Sequence, residues 1–151
     1  MTQSSRPPAF LFKLANPIIK LLVGRNIAPI SNVLMVIQHT GRRTGRQYLT
    51  PIGYARDGDS IVAFTLSRDT QWYQNIQHNP EVTLTIKGKP IRARAELVND
   101  PDEAARVLDI YQRTQPTNYQ RFFGVPLDMP SSEAARSPNL RATFVRFHLI
   151  R

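Results

Sequence analysis

From Val33 to Val98 the chain is cut into short β-prone runs by turn-forming residues, and this texture constrains the fold more than any other feature. Val33 to Gln38 is an almost continuous apolar run, the pattern of a strand buried on both faces. Tyr48 to Ala55 and Ser60 to Thr65 flank Arg56-Asp57-Gly58-Asp59, whose Asp-Gly pair is a hairpin signal. Glu81 to Ile86 alternates, with Val82, Leu84 and Ile86 on one face, and Lys87-Gly88 turns it into Ile91 to Val98. Asn139 to Ile150 alternates like a closing strand. A short helix is expected over Thr70 to His78, stopped by Asn79-Pro80. Another follows the N-cap and first-turn acids of Asn99 to Glu103 and runs to about Gln112, and a third covers Asn118 to Phe123.

Six short strands, two hairpins and few intervening helices fit a small closed barrel with flanking helices, mainly β in an α+β arrangement, rather than a doubly wound sheet. No repeat or long linker divides the chain, so residues 1–151 are expected to form one domain, with a tail and an amphipathic helix in residues 1–25. That helix, Phe10 to Val23, sets its leucines along one face beside Lys13 and Lys20. It is too interrupted to span a membrane and is followed by no small-residue cleavage site. Packing on the barrel and contact with anionic headgroups at the inner membrane face both suit it.

Composition narrows the chemistry. With no cysteine there is no disulfide framework, thiolate metal site or cysteine nucleophile, and a cytoplasmic location fits. His39, His78 and His148 lack metal-ligand spacing, so no metal site is expected. The net charge of +9 is uneven, since Arg6, Lys13, Lys20, Arg25, Arg42, Arg43 and Arg46 all precede the first acid, Asp57. Such a field attracts phosphates, polyanionic cofactors, nucleic acid or a membrane surface. Nucleic acid is disfavoured, because no reading motif is present and Glu96, Asp100, Asp102, Glu103 and Asp109 crowd one segment.

Thr40-Gly41-Arg42-Arg43-Thr44-Gly45-Arg46 joins two strands, with two glycines shaping a loop rimmed by guanidiniums and hydroxyls. Phosphate clamps are built this way, and so are solvated basic turns. Trp72 to Pro80 sets Trp72, Asn75 and Ile76 on one helical face, with Trp72 and Ile76 suited to anchoring on the barrel and Asn75 to a ligand or a strand end. No Ser-His-Asp or paired-carboxylate constellation is visible, in keeping with cofactor-centred chemistry.

The order and spacing of Gly41-Arg42-Arg43-Thr44-Gly45, Thr50-Pro51-Ile52, Asp57-Gly58-Asp59, Trp72-Tyr73-x-Asn75-Ile76 and Asn79-Pro80-Glu81-Val82 resembles the deazaflavin-dependent nitroreductase and quinone reductase family. The resemblance is strongest over residues 30–98. It implies a split β-barrel related to the pyridoxamine-phosphate oxidases, with coenzyme F-420 in an open groove. By that resemblance Arg42, Arg43 and Thr44 surround the coenzyme phosphate. Tyr48, Leu49, Thr50, Pro51, Ile52 and Gly53 line the coenzyme, and Ala63, Phe64, Thr65 and Leu66 lie beside its ring with Gln71, Trp72, Tyr73, Gln74 and Asn75. Tyr119 matches a substrate-side tyrosine and is the candidate proton donor; an ordinary helix residue is the competing reading. The implied activity is hydride transfer from the reduced coenzyme to a small-molecule acceptor: a quinone, a nitro compound or an activated alkene. Sister groups with this barrel use FMN or haem-type ligands, some without turnover, and such barrels often form homodimers.

Overall fold

The computed structural model describes residues 32–150, and the expected Phe10 to Val23 helix lies outside them. Six antiparallel strands form a closed barrel: β1 Leu34–Thr40, β2 Gln47–Asp57, β3 Ser60–Thr65, β4 Glu81–Ile86, β5 Lys89–Leu97 and β6 Thr143–Leu149. Their order around the barrel is β1-β2-β3-β6-β5-β4, so the final strand inserts between β3 and β5 and closes the sheet. Closure removes the exposed edges that an open sheet of this size would carry.

Register follows from alternation. Met35 pairs with Ile52 and Ile37 with Thr50 across β1 and β2, and Ala63 pairs with Val145 across β3 and β6. Met35, Ile37, Ile52, Tyr54, Ile61, Ala63, Leu84, Val145 and Phe147 thus meet inside the barrel. The helix α1, Gln71–His78, adds Trp72, Tyr73 and Ile76 to the same core. The β4–β5 turn needs positive φ at both central residues, 53° at Lys87 and 80° at Gly88, which is the primed hairpin geometry.

A second core forms on the outer face of β3 and β6. There α2 (Pro101–Thr114), α3 (Tyr119–Phe123) and α4 (Ser131–Ala134) pack Val107, Leu108, Tyr111, Tyr119, Phe123 and Ala134 against Val62 and Phe144. The α2 helix starts as its sequence signals dictate, with the Asp100 side chain accepting from the Asp102 amide and Pro101 in the first turn. It is tied to the barrel by a charged cluster. Arg146 Nη1 donates to Asp57 Oδ2 at 2.8 Å and to Ser60 Oγ at 2.7 Å, while its Nε donates to Glu103 Oε2 at 3.0 Å. Arg106 holds Asp57 from the solvent side, at 2.8 Å from each carboxylate oxygen. The two guanidiniums push the Asp57 carboxyl down to about 2.

The expected elements hold with shifts of a few residues, except at the C-terminal end. The expected strand from Asn139 begins at Thr143, because the amides of Leu140 and Arg141 bond to Ser137 O and Phe123 O and not to a ladder. The α4 turn is an element that the sequence reading did not contain. Among the described residues no helix is long and apolar enough to cross a membrane.

Candidate functional site

Two cavities lie along β2. The first, of about 640 Å³, opens where the β1–β2 loop meets α1 and is lined by His39, Gly41, Arg42, Arg43, Thr44, Tyr48, Leu49, Thr50, Gln71 and Asn75. No carboxylate is among these residues. The loop is closed by Gly41 N donating to Arg46 O at 2.6 Å and Gly45 N donating to Gly41 O at 3.0 Å. A Cβ at Gly41 would stand 2.9 Å from the Tyr48 ring and 3.2 Å from Thr44 Oγ1, so a larger residue here would push the Tyr48 ring aside. Thr44 Oγ1 accepts from the Arg46 amide at 3.2 Å, which leaves its own proton free for a ligand.

Within the cleft the polar groups form one chain. His39 Nε2 lies 2.9 Å from Thr50 Oγ1, Asn75 Nδ2 donates to His39 Nδ1 at 3.0 Å, and Asn75 Oδ1 accepts from the Arg42 amide at 3.1 Å and from Arg42 Nη1 at 2.8 Å. Gln71 Oε1 accepts from the same Nη1 at 3.0 Å. Arg43 and Arg46 form no ion pair among the described residues. Tyr48 lies over His39, with ring centroids 5.8 Å apart. Because an amide nitrogen can only donate, His39 Nδ1 must accept, and the ring is the neutral Nε2–H tautomer.

Burial of His39, which is 1% exposed, pushes its imidazole from the ordinary 6.5 down to about 4. Between these values an unfolded chain binds a proton that the folded chain refuses. This contribution to stability is therefore complete above pH 6.5 and is lost as pH falls toward 4. Chemical denaturation should give about 2 kcal/mol less stability at pH 5 than at pH 7. The Asp57 contribution follows the same sign but is present above 3.8 and lost toward 2, so it does not overlap this window. Equal stabilities at pH 7 and pH 5 would mean that His39 is protonated in the folded state.

The second cavity, also about 640 Å³, is mostly aromatic and apolar. Val33, Leu34, Gly53, Phe64 and Leu66 face Tyr111, Tyr119, Phe122 and Phe123, with Thr114 to Asn118 at the rim. Leu49 of the first cavity and Gly53 of the second share one face of β2, so about 13 Å of strand separates them. Tyr119 is 1% exposed, packs edge-on against Phe123 with centroids 5.2 Å apart, and its hydroxyl accepts from Gln112 Nε2 at 3.3 Å. Among the described residues nothing accepts the Tyr119 proton, and burial raises its pKa, so the phenol stays protonated.

The structure divides the residues that sequence and resemblance singled out. Arg42, Arg43, Thr44, Tyr48, Leu49, Thr50, Gln71 and Asn75 line the first cavity, and Gly53, Phe64, Leu66 and Tyr119 the second. Ile52, Ala63, Trp72 and Tyr73 instead point into the barrel core and line neither cavity. Thr65 is buried and bonds to Ser67 O and the Thr70 hydroxyl, Pro51 sits half-buried beside Val36, and Gln74 reaches Arg68 O from α1. Asn75 turns its amide inward onto His39 and Arg42. His39 was absent from the sequence candidates.

A closed six-stranded antiparallel barrel with helices on its outer face defines the split-barrel class of the pyridoxamine-phosphate-oxidase type. Within it, the chain belongs to the F420H(2)-dependent quinone reductase family, whose family model matches residues 15–130. It is similar to an F420H(2)-dependent quinone reductase of Mycobacterium tuberculosis, at 30% identity over a stretch covering 57% of this chain and 63% of that relative. The chain thus spans less than two thirds of the length of that relative. In fold it is similar to an F420-H2 dependent reductase, with TM-score 0.53 and 16% identity over 75% of this chain and 92% of that one. It is also similar to the heme storage protein HutZ of Vibrio cholerae, with TM-score 0.54 and 9% identity over 80% of this chain and 83% of that one.

Proposed function

We propose that the protein is a deazaflavin-dependent reductase that binds coenzyme F-420 along β2 and reduces a quinone. The observation that carries this reading is the pairing of a cationic, carboxylate-free cleft with an aromatic cavity about 13 Å further along the strand. A coenzyme with a flat ring and an anionic tail matches that donor set, whereas the shorter FMN is the alternative ligand. Arg42, Arg43 and Thr44 hold the phosphate or tail through charge-assisted bonds, and the ring side of the groove runs past Gly53, Phe64 and Leu66. The chemistry the coenzyme supplies when bound is a hydride, leaving from ring carbon C5 to an acceptor stacked on it. The protein contributes orientation, exclusion of water by Phe64, Phe122 and Phe123, and a proton donor. Nitro compounds and activated alkenes are further acceptors under the same geometry. Homodimerisation, a cytoplasmic location and contact of the Phe10 to Val23 segment with anionic headgroups belong to the same proposal.

Tyr119 is proposed as the donor to the acceptor oxygen on which charge develops. Its place in the cavity wall supports that role. Tyr119→Phe should lower turnover about tenfold, less than in a fully enclosed site, while coenzyme affinity stays within about twofold. Unchanged turnover with several acceptors would make Tyr119 a packing residue.

The activity itself is tested by following oxidation of reduced F-420 anaerobically with a soluble quinone. Consumption of coenzyme and quinone in equal amounts is expected. Tight binding without turnover would make the protein a ligand carrier.

A further inference from the structure

We infer that His39 is a positioning residue: by accepting from the far end of the Asn75 amide it braces that side chain and, through it, holds the Arg42 guanidinium in the cleft. The role assigned to Arg42 rests on the proposed anion site, but the chain of contacts does not.

An asparagine amide has two unlike ends. At one end Oδ1 of Asn75 meets two donors, the Arg42 amide and Nη1, and at the other Nδ2 meets His39 Nδ1. Turning the amide over would point its NH₂ at both donors of Arg42 and its oxygen at the unprotonated ring nitrogen, losing three hydrogen bonds together. The ring can pair with the reversed amide only as its Nδ1–H tautomer. Thr50 does not choose between the tautomers, because its hydroxyl donates or accepts equally well toward Nε2. The choice falls to the Arg42 backbone amide, which is fixed by the tight Gly41–Arg46 turn. The tautomer of His39 and the orientation of the Asn75 amide are therefore one property, and the Arg42 guanidinium is held by the oxygen of that amide.

His39 and Asn75 are 1% and 2% exposed, so the barrel core and α1 set this geometry. Tyr48 stacks over the imidazole. Arg42 by contrast is half-buried, and its other contact, Gln71, is exposed. Without the amide, Gln71 alone would hold the guanidinium, on a side chain free to move.

The test compares His39→Leu, which fills the space but accepts nothing, with His39→Asn, whose side-chain oxygen can take the place of Nδ1. Long-range ¹H–¹⁵N spectra of the ligand-free parent should show His39 as the neutral Nε2–H tautomer and a slowly exchanging Arg42 side chain close to Asn75. That Arg42 signature should disappear in His39→Leu and persist in His39→Asn. Titration with inorganic pyrophosphate should weaken about tenfold in the leucine variant and return to within about twofold of the parent in the asparagine variant. An Nδ1–H tautomer in the parent, or an Arg42 signature that is the same in both variants, would overturn the inference. Should His39→Leu not fold, Asn75→Asp decides the matter: its carboxylate accepts from Arg42 but cannot donate, so His39 must show a proton on Nδ1, and an unchanged Nε2–H pattern overturns the inference. A parent that shows the Arg42 coupling yet binds no pyrophosphate sinks the anion-site reading and leaves the positioning role standing.

Discussion

Arg146→Met should lower the melting temperature by roughly 6–12 °C, the equivalent of about 3 kcal/mol in a domain of this size. Asp57 and Arg146 are both close to buried, with side-chain exposures of 9% and 10%. Methionine fills the volume but leaves Asp57 with Arg106 as its remaining cationic partner and strips Glu103 of its bond to the barrel. With one of its two guanidiniums gone, the nearly buried Asp57 carboxylate keeps only part of what offsets its desolvation, and Ser60 and Glu103 lose their charged partner as well. The loss should be larger than for Arg113→Met, whose exposed partner Asp109 lies one helical turn away on α2. Thermal unfolding of the two variants side by side checks this. A shift of less than about 2 °C for Arg146→Met would mean that the helical layer is held by the Phe123 and Phe144 packing alone.

Replacing both Arg42 and Arg43 by alanine should weaken binding of coenzyme F-420 by about 10²- to 10⁴-fold, since each charge-assisted bond lost is worth about 1.5–3 kcal/mol. Neither residue belongs to a core cluster, so stability should change little. Hydride transfer within the saturated complex should fall much less if, as proposed, the guanidiniums hold the anionic tail and not the reacting carbon. Equilibrium binding and single-turnover rates at saturating coenzyme separate the two quantities. A double variant that binds as tightly as the parent would leave the cationic loop a solvated turn.

The barrel was legible because each strand carries its own periodicity. Val82, Leu84 and Ile86 announce an inward face, and Lys87-Gly88 announces the turn that follows. The basic loop was legible because Gly41 and its arginines are neighbours in sequence. The pairing of His39 with Asn75 was not, because 36 residues separate them and each looked ordinary in its own segment. A signal was available: His39 continues the inward series of Met35 and Ile37, and Asn75 shares the buried face of Trp72 and Ile76. Two polar residues on core-facing positions must find partners, and each was the other's nearest solution. The Asp57–Arg146 bond, across 89 residues, became visible only once β6 was seen to insert beside β3. The same alternation explains why Ile52 and Ala63 joined the core although they lie in segments that the resemblance placed along the coenzyme. A segment match specifies a stretch of chain, whereas contact with a ligand depends on which of its two faces a residue occupies.

We propose that the two cavities between the Gly41–Arg46 turn and Phe64 together take a deazaflavin with a long anionic tail. Titrating the purified protein separately with coenzyme F-420 and with FMN, at the same ionic strength, tests it most directly. Tighter binding of F-420, with a margin that shrinks as salt is raised and disappears in the Arg42→Ala, Arg43→Ala double variant, is the expected result. Tighter binding of FMN, or an F-420 affinity indifferent to both arginines, would contradict it.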